Sequence, residues 1–449
     1  MVRKLPFLSS SKKQNELLNM QINELIDTKP IEFFEKPLIL DKVARKIILS
    51  HFKGIKEGEI TIIENSEHIV FGQTTPNFPV KTIITVQNSK MYLDIVAKGL
   101  NGSAEAFIKG WWTCDNLTNL VRIFTRNRDA ANHFESGIAN LAIWVMKLSH
   151  SCRRNNLKES LRNIHAQYDL GNDFFSTFLD DTRMYSCGIF IKPESSLQEA
   201  SITKNDRICK KLNLSSTDHL LEIGTGWGGF ALHAAKNYGC RITSTTISQE
   251  QFIFSENLIK KNRLQDQVTI LKKDFRELEG QFDKLVSIEM IEAVGHRLYK
   301  TFFQNCSQLL KPEGLLVIQA ITIADNLFEE SKDFIDFIKQ YIFPGSCIPS
   351  IIALCSAATS SDIKLFHLED ITPHYARTLK EWRTNFLKNK SRVKDLGFTN
   401  AFIRMWLFYL CYCEGGFMER QIGNVQMVFT KPLCRRDPIL PPLETVSPN

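Results

Sequence analysis

A glycine-rich segment is the first part of this sequence that could carry chemistry. It reads EIGTGWGG over residues 222–229 and follows a short apolar run. Glycines permit a tight turn, and they let the backbone approach a ligand at the start of a helix. Many turns from strand to helix use glycine for packing alone, so the loop by itself is weak evidence for a ligand.

The spacing of the glycines and the acids around them narrow the choice of ligand. The pattern is G-x-G-x-G, whereas dinucleotide sites have G-x-G-x-x-G. The next apolar run ends in Thr245-Thr246-Ile247-Ser248, without the acid that would bind a ribose in an NAD site. Glu222 lies just before the glycines, where it suits a cation better than a pyrophosphate. These features favour S-adenosylmethionine over a nicotinamide cofactor.

Alternating strands and helices must position this loop. Apolar runs typical of buried strands alternate with helical patterns from about residue 200, and a last run resembles a closing antiparallel strand; they lie at 219–225, 240–248, 267–274, 284–294, 315–323 and 423–432. This order predicts a doubly wound parallel α/β sheet, whose ligands bind beyond the carboxyl ends of the strands.

Length, charge and cysteine content exclude several classes of protein. The 449 residues predict two or three domains, and the net charge of +7 is too small and too scattered for a nucleic-acid-binding protein. The 11 cysteines include no C-x-x-C pair, so we expect neither a zinc site nor a disulfide framework. The first residues lack the apolar core of a signal peptide, and the longest C-terminal apolar run, 405–413, is too short to span a bilayer. We therefore expect a cytoplasmic protein.

Several motifs in a fixed order are more specific than the glycine loop. Two of them lie at the ends of predicted strands. The first is LEIGTGWGGFA together with TTISQEQ, and the second is SIEMIEAVGH. The others are QYDLGNDFF with MYSCG, then YIFPGSCIPS, HYARTLKEW and FYLCYCEGGF. Together they extend from about residue 160 to 432, and over this span the chain resembles the cyclopropane-fatty-acyl-phospholipid synthase family, which includes the mycolic acid cyclopropane synthases.

The resemblance implies a class I methyltransferase with a Rossmann-like sheet and a defined reaction. A methylene group would pass from S-adenosylmethionine to the cis double bond of an unsaturated acyl chain in a phospholipid, giving a cyclopropane ring. The partner would be the phospholipid in a membrane surface, with the protein bound peripherally to the inner face of the membrane. Methylation of an alkene produces a carbocation, so the site needs an apolar channel that excludes water, and a base.

The resemblance assigns the base to a bound bicarbonate ion. Its expected holders are Cys187, Glu292, Ile321 and Tyr375, with Glu292 accepting the bicarbonate proton. Gln319 stands where the family often has histidine; it can donate a hydrogen bond but cannot carry charge. Gln167 is a second departure from the family pattern, which usually has histidine before Tyr168-Asp169.

The resemblance also assigns the cofactor residues. They are Tyr185, Ser186, Gly224, Thr225, Gly226, Gly228, Thr246, Ile247, Ser248, Gln251, Asp274 and Phe275. We expect Asp274 to accept from the adenine amino group and Phe275 to pack on its ring; the alternative is a surface turn with a buried phenylalanine. Cys413 matches a cysteine of the family once considered catalytic, but methyl transfer to an alkene needs no thiolate.

The predicted domains follow from these segments. They are an N-terminal α+β domain at 1–137, a linker helix at 138–164, a catalytic domain at 165–434 and a tail at 435–449. An apolar helical insertion at about 324–385 would line an acyl-chain tunnel. The N-terminal domain would bind lipid or form a homodimer. The basic linker is either a solvated interdomain helix or a membrane-surface contact.

Two other functions stay open at this point. A related lipid C-methyltransferase would stop before ring closure and give a methyl-branched or methylene product, which Gln319 keeps in consideration, and a small-molecule methyltransferase is a weaker form of this alternative. A lipid-binding scaffold without activity is disfavoured by Glu292, Tyr375 and the glycine loop.

Overall fold

The computed structural model describes residues 39–128 and 170–440. These residues form two compact units that do not follow chain order. The first unit contains 39–128, 170–178, 335–344 and 379–421, and the second contains 179–334, 345–378 and 422–440. The predicted linker at 138–164 and the domain boundaries on either side of it lie outside the described residues and stay predictions, as does Gln167.

The N-terminal part of the first unit is the small α+β fold expected from the sequence. Its sheet has the order β2-β1-β3-β4, in which β1 and β2 form an antiparallel hairpin and β1 runs parallel to β3. Its elements are α1 (Ile39–Phe52), β1 (Gly58–Glu64), β2 (Glu67–Gln73), β3 (Lys81–Val86), α2 (Lys90–Lys98), α3 (Leu100–Ile108), β4 (Trp112–Cys114) and α4 (Leu117–Arg126). Strand β4 lies between the last two helices, where Trp112–Cys114 pair with the end of β3.

The rest of the first unit is helical. It contains α5 (Asn172–Phe175), a π-helix (Ile338–Ile342), the last turns of a long helix (Thr372–Lys388) that begins in the second unit, and two further helices, Lys390–Asp395 and Asn400–Met418. The helix Asn400–Met418 is apolar on almost every side and is mostly buried. Aromatic rings of Phe174, Phe402 and Trp406 pack edge-on or stacked in its core.

The second unit contains a seven-stranded sheet with the order β10-β11-β9-β8-β5-β6-β7. Strands β5 to β9 are parallel, and β11 is antiparallel to β9 and β10. The strands are β5 (His219–Ile223), β6 (Arg241–Thr246), β7 (Val268–Lys272), β8 (Phe282–Ile288), β9 (Leu310–Ile323), β10 (Lys364–Asp370) and β11 (Ile422–Thr430). The doubly wound α/β sheet and its closing antiparallel strand are therefore confirmed.

Eight α-helices lie wholly or partly in the described residues of this unit. They are α6 (Leu197–Leu212), α7 (Gly229–Tyr238), α8 (Gln249–Lys261), α9 (Ile291–Val294), α10 (Tyr299–Leu309), α11 (Asp325–Ser331), α12 (Ile351–Ala358) and α13 (Thr372–Lys388). Helix α6 begins with a capping box, in which Ser196 and Glu199 each accept from the other's backbone N–H.

Strand β10 was missed in the sequence, where it was read as part of the apolar insertion. It is an edge strand that pairs only with β11, and its residues are exposed or half-buried. No buried face therefore gave it an alternating or continuous apolar pattern.

The chain order places a switch point between β5 and β8. From β5 the chain moves outward to β6 and β7 on one side, then returns to β8 and β9 on the other. Ligands of such sheets bind outside the carboxyl ends of the strands at this point. The glycine loop follows β5, and the segment that begins with Glu289 follows β8.

Candidate active site

The glycine loop leaves β5 as a tight turn with space on one side. Gly224 and Gly226 have φ angles of +101° and +54°, which residues with side chains rarely adopt. A Cβ atom built on Gly226 would meet no atom within 4 Å. The loop leads into α7, whose N-cap is Gly228. This open turn at a helix N-terminus suits the close approach of a ligand.

Glu222 is buried inside the sheet just before this loop. It accepts a hydrogen bond from Ser244 of β6, and Ser244 is also hydrogen-bonded to Thr225, 2.6 Å between the two hydroxyl oxygens. Burial raises the pKa of the Glu222 carboxyl to about 8. A cation bound beside it would favour the ionised form and lower that pKa.

This raised pKa predicts a pH dependence of cofactor binding. If Glu222 faces a positive cofactor, binding must release its proton below about pH 8, so S-adenosylmethionine affinity should rise between pH 6 and pH 8, by up to about tenfold per pH unit. In Glu222→Gln this rise should disappear, because the amide does not titrate. Calorimetric titrations at several pH values measure the difference. Parallel curves for the two proteins would show that Glu222 does not respond to the cofactor.

The expected cofactor residues after β6 form a local turn. The Thr246 hydroxyl donates to Gln251 Oε1 at 2.9 Å and accepts from the Ser248 N–H at 3.1 Å. Ser248 caps α8 by accepting from the Gln251 N–H. Ile247 is 74% exposed, which leaves an apolar side chain uncovered beside this turn.

Asp274 and Phe275 lie after β7, but each already has a partner. Asp274 caps a short 3₁₀ turn and pairs with the Arg276 guanidinium, which lowers the pKa of Asp274. The ring of Phe275 packs edge-on against Phe302, 5.7 Å between centroids. These contacts match the turn with a packed phenylalanine that the sequence left as the alternative, so contact with adenine stays a prediction.

Ser186 contacts a buried lysine that the sequence analysis missed. The Lys204 ammonium donates to the Ser186 hydroxyl at 3.1 Å, and its side chain, on α6, is fully buried. Burial lowers the pKa of Lys204 to about 8, while the negative charge of Glu289 opposes that change. Tyr185, the neighbouring expected cofactor residue, is half-buried.

Glu289, immediately after β8, is the centre of the densest group of polar contacts in this part of the sheet. Its Oε1 atom accepts from the backbone N–H of Cys187 at 3.0 Å, from Gln319 Nε2 at 2.8 Å and from Asn424 Nδ2 at 2.8 Å. Its Oε2 atom accepts from the Tyr375 hydroxyl at 2.6 Å. Three residues expected in the site from the sequence therefore meet here, around a carboxylate that was not expected.

Glu292, one helical turn later, is a second carboxyl group in this region, and it is buried. Its Oε1 atom accepts from the Ile321 N–H at 2.5 Å, so this expected residue contacts Glu292 through its backbone. Its Oε2 atom is buried without a hydrogen-bond partner among the described residues. Burial and the negative charge of Glu289 both raise the pKa of Glu292.

A chain of hydrogen bonds fixes the direction of the Gln319 amide. Lys211 Nζ donates to Gln426 Oε1 at 2.8 Å, and Gln426 Nε2 donates to Gln319 Oε1 at 2.9 Å. The remaining NH₂ group of Gln319 must then point to Glu289. Lys211 also pairs with Glu369 at 2.6 Å. Gln319 on β9 and Gln426 on β11 are directly opposite each other in the sheet, which brings their side chains together in this network.

The two cysteines expected from the resemblance differ in their surroundings. Cys187 is fully buried and contributes its backbone N–H, and burial raises the pKa of its thiol. Cys413 lies in the first unit on Asn400–Met418, where burial also raises its thiol pKa. Neither environment produces a reactive thiolate.

The apolar segment at 324–385 is divided between the two units. It contains α11, the π-helix, α12, β10 and the start of α13, and its residues 335–344 belong to the first unit. A tunnel for an acyl chain along this segment stays a prediction. Among the residues that the structure describes, no helix has both the length and the apolar character needed to cross a bilayer.

Comparison with known proteins identifies the family of this chain. The sequence model described as mycolic acid cyclopropane synthetase matches residues 155–427. The chain is 33% identical over 340 residues to the tuberculostearic acid methyltransferase UfaA1 of Mycobacterium tuberculosis, covering 73% of this chain and 78% of that protein. It is 32% identical over 355 residues to the cyclopropane-fatty-acyl-phospholipid synthase of Escherichia coli, covering 78% of this chain and 87% of the relative.

A solved structure supports the same assignment. The crystal structure of mycolic acid cyclopropane synthase CmaA1 complexed with SAH and CTAB is 30% identical, with a TM-score of 0.56, and covers 61% of this chain and 99% of that one. The sheet order agrees with a class I methyltransferase fold, so the predicted fold class is confirmed. The chain belongs to the mycolic acid cyclopropane synthetase family of S-adenosylmethionine-dependent methyltransferases.

Proposed function

We propose that this chain is a cyclopropane-fatty-acyl-phospholipid synthase, which acts on the cis double bond of an unsaturated acyl chain in a phospholipid. The observation that carries this proposal is the pair of carboxyl groups directly after β8, half-buried Glu289 and buried Glu292. Strand β8 is the neighbour of β5, from which the glycine loop leaves. A base beside a cofactor loop is what ring closure on an alkene requires.

The cofactor loop fits a positively charged methyl donor. S-adenosylmethionine would supply the electrophilic methyl group. Gly226 leaves room for the backbone to approach it, and Glu222 offers the negative charge that its sulfonium or amino group favours. The related CmaA1 was solved with SAH bound, which supports the same ligand class here.

The residues after β8 would act on the acyl chain. A methylated alkene is a carbocation that water would capture, so the site must exclude water until a proton is removed. The carboxyl group of Glu292 is buried and that of Glu289 is half-buried, which limits their contact with water and supplies negative charge where the cation forms. Their burial also raises the pKa of each group, which makes the ionised form a stronger base.

A second candidate function is a lipid C-methyltransferase with a methylene or methyl-branched product. Gln319 in place of the usual histidine supports it, as does the 33% identity to a tuberculostearic acid methyltransferase. A methylene product needs only loss of a proton. A saturated methyl branch needs a reductant as well, which none of the residues named here supplies.

Incubation with phospholipid vesicles tests the proposed function. The full-length protein, methyl-labelled S-adenosylmethionine and vesicles containing cis-monounsaturated chains should give labelled lipid. Vesicles with fully saturated chains should stay unlabelled, and free unsaturated fatty acid should react more slowly, since we propose an acyl chain held in a membrane surface. Catalytic hydrogenation followed by mass spectrometry separates a cyclopropane from a methylene group. Equal labelling of saturated and unsaturated vesicles, or no labelled lipid, would contradict the proposal.

A further inference from the structure

Glu289 has a backbone conformation that residues with side chains rarely adopt. Its φ angle is +49°, in the left-handed region that glycine favours. The same residue donates its backbone N–H to the Gln319 carbonyl oxygen at 2.7 Å, which fixes this conformation. Strained residues of this kind persist where the surroundings impose them, and they concentrate at functional sites. The chain thus keeps a carboxylate at a position where glycine would be easier to accommodate.

The donors around Glu289 suit a planar anion with two exposed oxygen atoms. One oxygen accepts three hydrogen bonds, and the other accepts one from the Tyr375 hydroxyl. Carboxylate and bicarbonate present the same planar O–C–O group to such donors. The resemblance assigns Cys187 and Tyr375 to bicarbonate, but Glu289 already uses both donors. A bicarbonate ion therefore does not fit this group of residues.

We propose that the Glu289 carboxylate takes the place of bicarbonate as the base, and that the enzyme needs no bicarbonate. This rests on the proposed function, which supplies the reaction in which the base acts. It adds a catalytic residue of this chain that the resemblance does not assign.

The hydrogen-bond donors around Glu289 favour the ionised form of its carboxyl group and oppose the rise in pKa that burial causes. Donors point from Lys211 through Gln426 and Gln319 toward Glu289, so the Gln319 amide cannot present its oxygen instead. The buried Lys204 adds a positive charge nearby, which opposes the rise in pKa that burial causes at Glu289. Asn424 and the Cys187 N–H complete the set of donors. The partial removal of Glu289 from water outweighs these donors and raises its pKa, which makes the ionised form a stronger base.

The electron pairs and the proton balance without another reactant. The alkene π pair forms the new C–C bond to the methyl carbon, and the S–CH₃ pair returns to sulfur, giving a neutral thioether and an acyl carbocation. Glu289 then accepts a proton from the added methyl group, and that C–H pair closes the ring onto the cationic carbon. The carboxyl proton of Glu289 is lost to solvent before the next turnover.

The test uses the full-length protein with and without bicarbonate. In buffer purged of carbon dioxide, the wild-type enzyme should keep its rate on unsaturated vesicles, and added bicarbonate should not change it. Glu289→Gln should lower turnover about 10²–10⁴-fold, while S-adenosylmethionine binding changes little. Glu313→Gln, an exposed residue of the same unit, is the matched control and should behave as wild type.

Glu289→Gly should restore the need for the ion. Glycine accepts the φ angle of +49° without strain, so this variant should fold, and it frees the donors of Cys187 and Tyr375. Millimolar bicarbonate should raise its rate, with no effect on Glu289→Gln. Broadening of the ¹³C-bicarbonate signal in NMR, which does not depend on activity, should appear with Glu289→Gly and not with wild type.

Two outcomes would overturn the role of Glu289. One is a wild-type enzyme that loses its rate without bicarbonate or broadens the ¹³C signal as Glu289→Gly does. The other is a Glu289→Gln variant with wild-type turnover. A wild-type protein that labels no lipid contradicts the proposed function instead, and the NMR comparison then still decides whether Glu289 occupies the bicarbonate position.

Discussion

Glu292→Gln is expected to lose about 10²–10⁴-fold in turnover on unsaturated phospholipid vesicles and to bind S-adenosylmethionine almost normally. The change is small in shape, because the glutamine oxygen can still accept from the Ile321 N–H. What it removes is a carboxyl group whose second oxygen is buried without a partner among the described residues. That oxygen is free to interact with the reacting acyl chain or with its proton.

The raised pKa of Glu292 gives the physical reason for so large an effect. The group lies close enough to Glu289 for the negative charge of one carboxylate to raise the pKa of the other. Two such groups titrate as a pair, so that one holds a proton when the other is ionised. In Glu292→Gln the amide cannot hold this proton, so the Glu289 carboxyl group titrates without a partner.

Calorimetry and lipid product analysis on the same preparation separate catalysis from folding. Glu313→Gln serves again as the control, since this glutamate is exposed and lies in β9 before the buried part of that strand. If Glu292→Gln lost cofactor binding and turnover to the same extent, Glu292 would be a structural residue.

Arg383→Met is expected to destabilise the first unit by about 3–5 kcal/mol. Arg383 forms a buried two-point ion pair with Glu414, at 2.9 Å and 3.1 Å, and Thr118 also donates to Glu414. Removal of the arginine leaves a buried carboxylate without its counter-charge, which is far more costly than loss of an exposed pair. The neutral double variant Arg383→Met/Glu414→Met should recover most of the loss.

Thermal and denaturant unfolding with a probe in the first unit measure this effect. The control is Glu67→Gln, because Glu67 is exposed and pairs with Arg45 only at 3.4 Å. Its expected change is within about 0.5 kcal/mol. A loss for Arg383→Met as small as that of the control would show that the buried pair contributes little to the fold.

The sheet and the position of the glycine loop could be predicted from the sequence for a physical reason. Parallel strands buried on both faces give apolar runs, and β5 and the second half of β9 have buried runs of this kind. The glycine loop follows one of them directly, so its place at the carboxyl end of a strand required no knowledge of distant contacts.

The polar group around Glu289 could not be predicted in the same way. It depends on the pairing of β11 with β9, which places Gln426 opposite Gln319 and brings Asn424 to the same end of the sheet. This register links residues about one hundred positions apart. The only local signal for Glu289 is its place as an acid directly after an apolar strand, and this signal does not reveal its partners.

The spacing of the two buried lysines is a clearer signal in the sequence. Lys204 and Lys211 are seven residues apart on α6, so they share the helix face of Ile208 and Ala200. A charged residue on a buried face needs partners, and both lysines have them in the structure. Such a pair marks a polar core rather than a solvated surface.

The most direct test of the proposed function is the number of deuterium atoms that enter the lipid. The wild-type enzyme is incubated with trideuteromethyl S-adenosylmethionine and vesicles of a cis-monounsaturated phospholipid, and the acyl chains are analysed by mass spectrometry and NMR. If Glu289 removes a proton from the added methyl group, the product should be a cyclopropane with two of the three deuterium atoms. Retention of all three, or a lipid fraction without deuterium, would contradict this account.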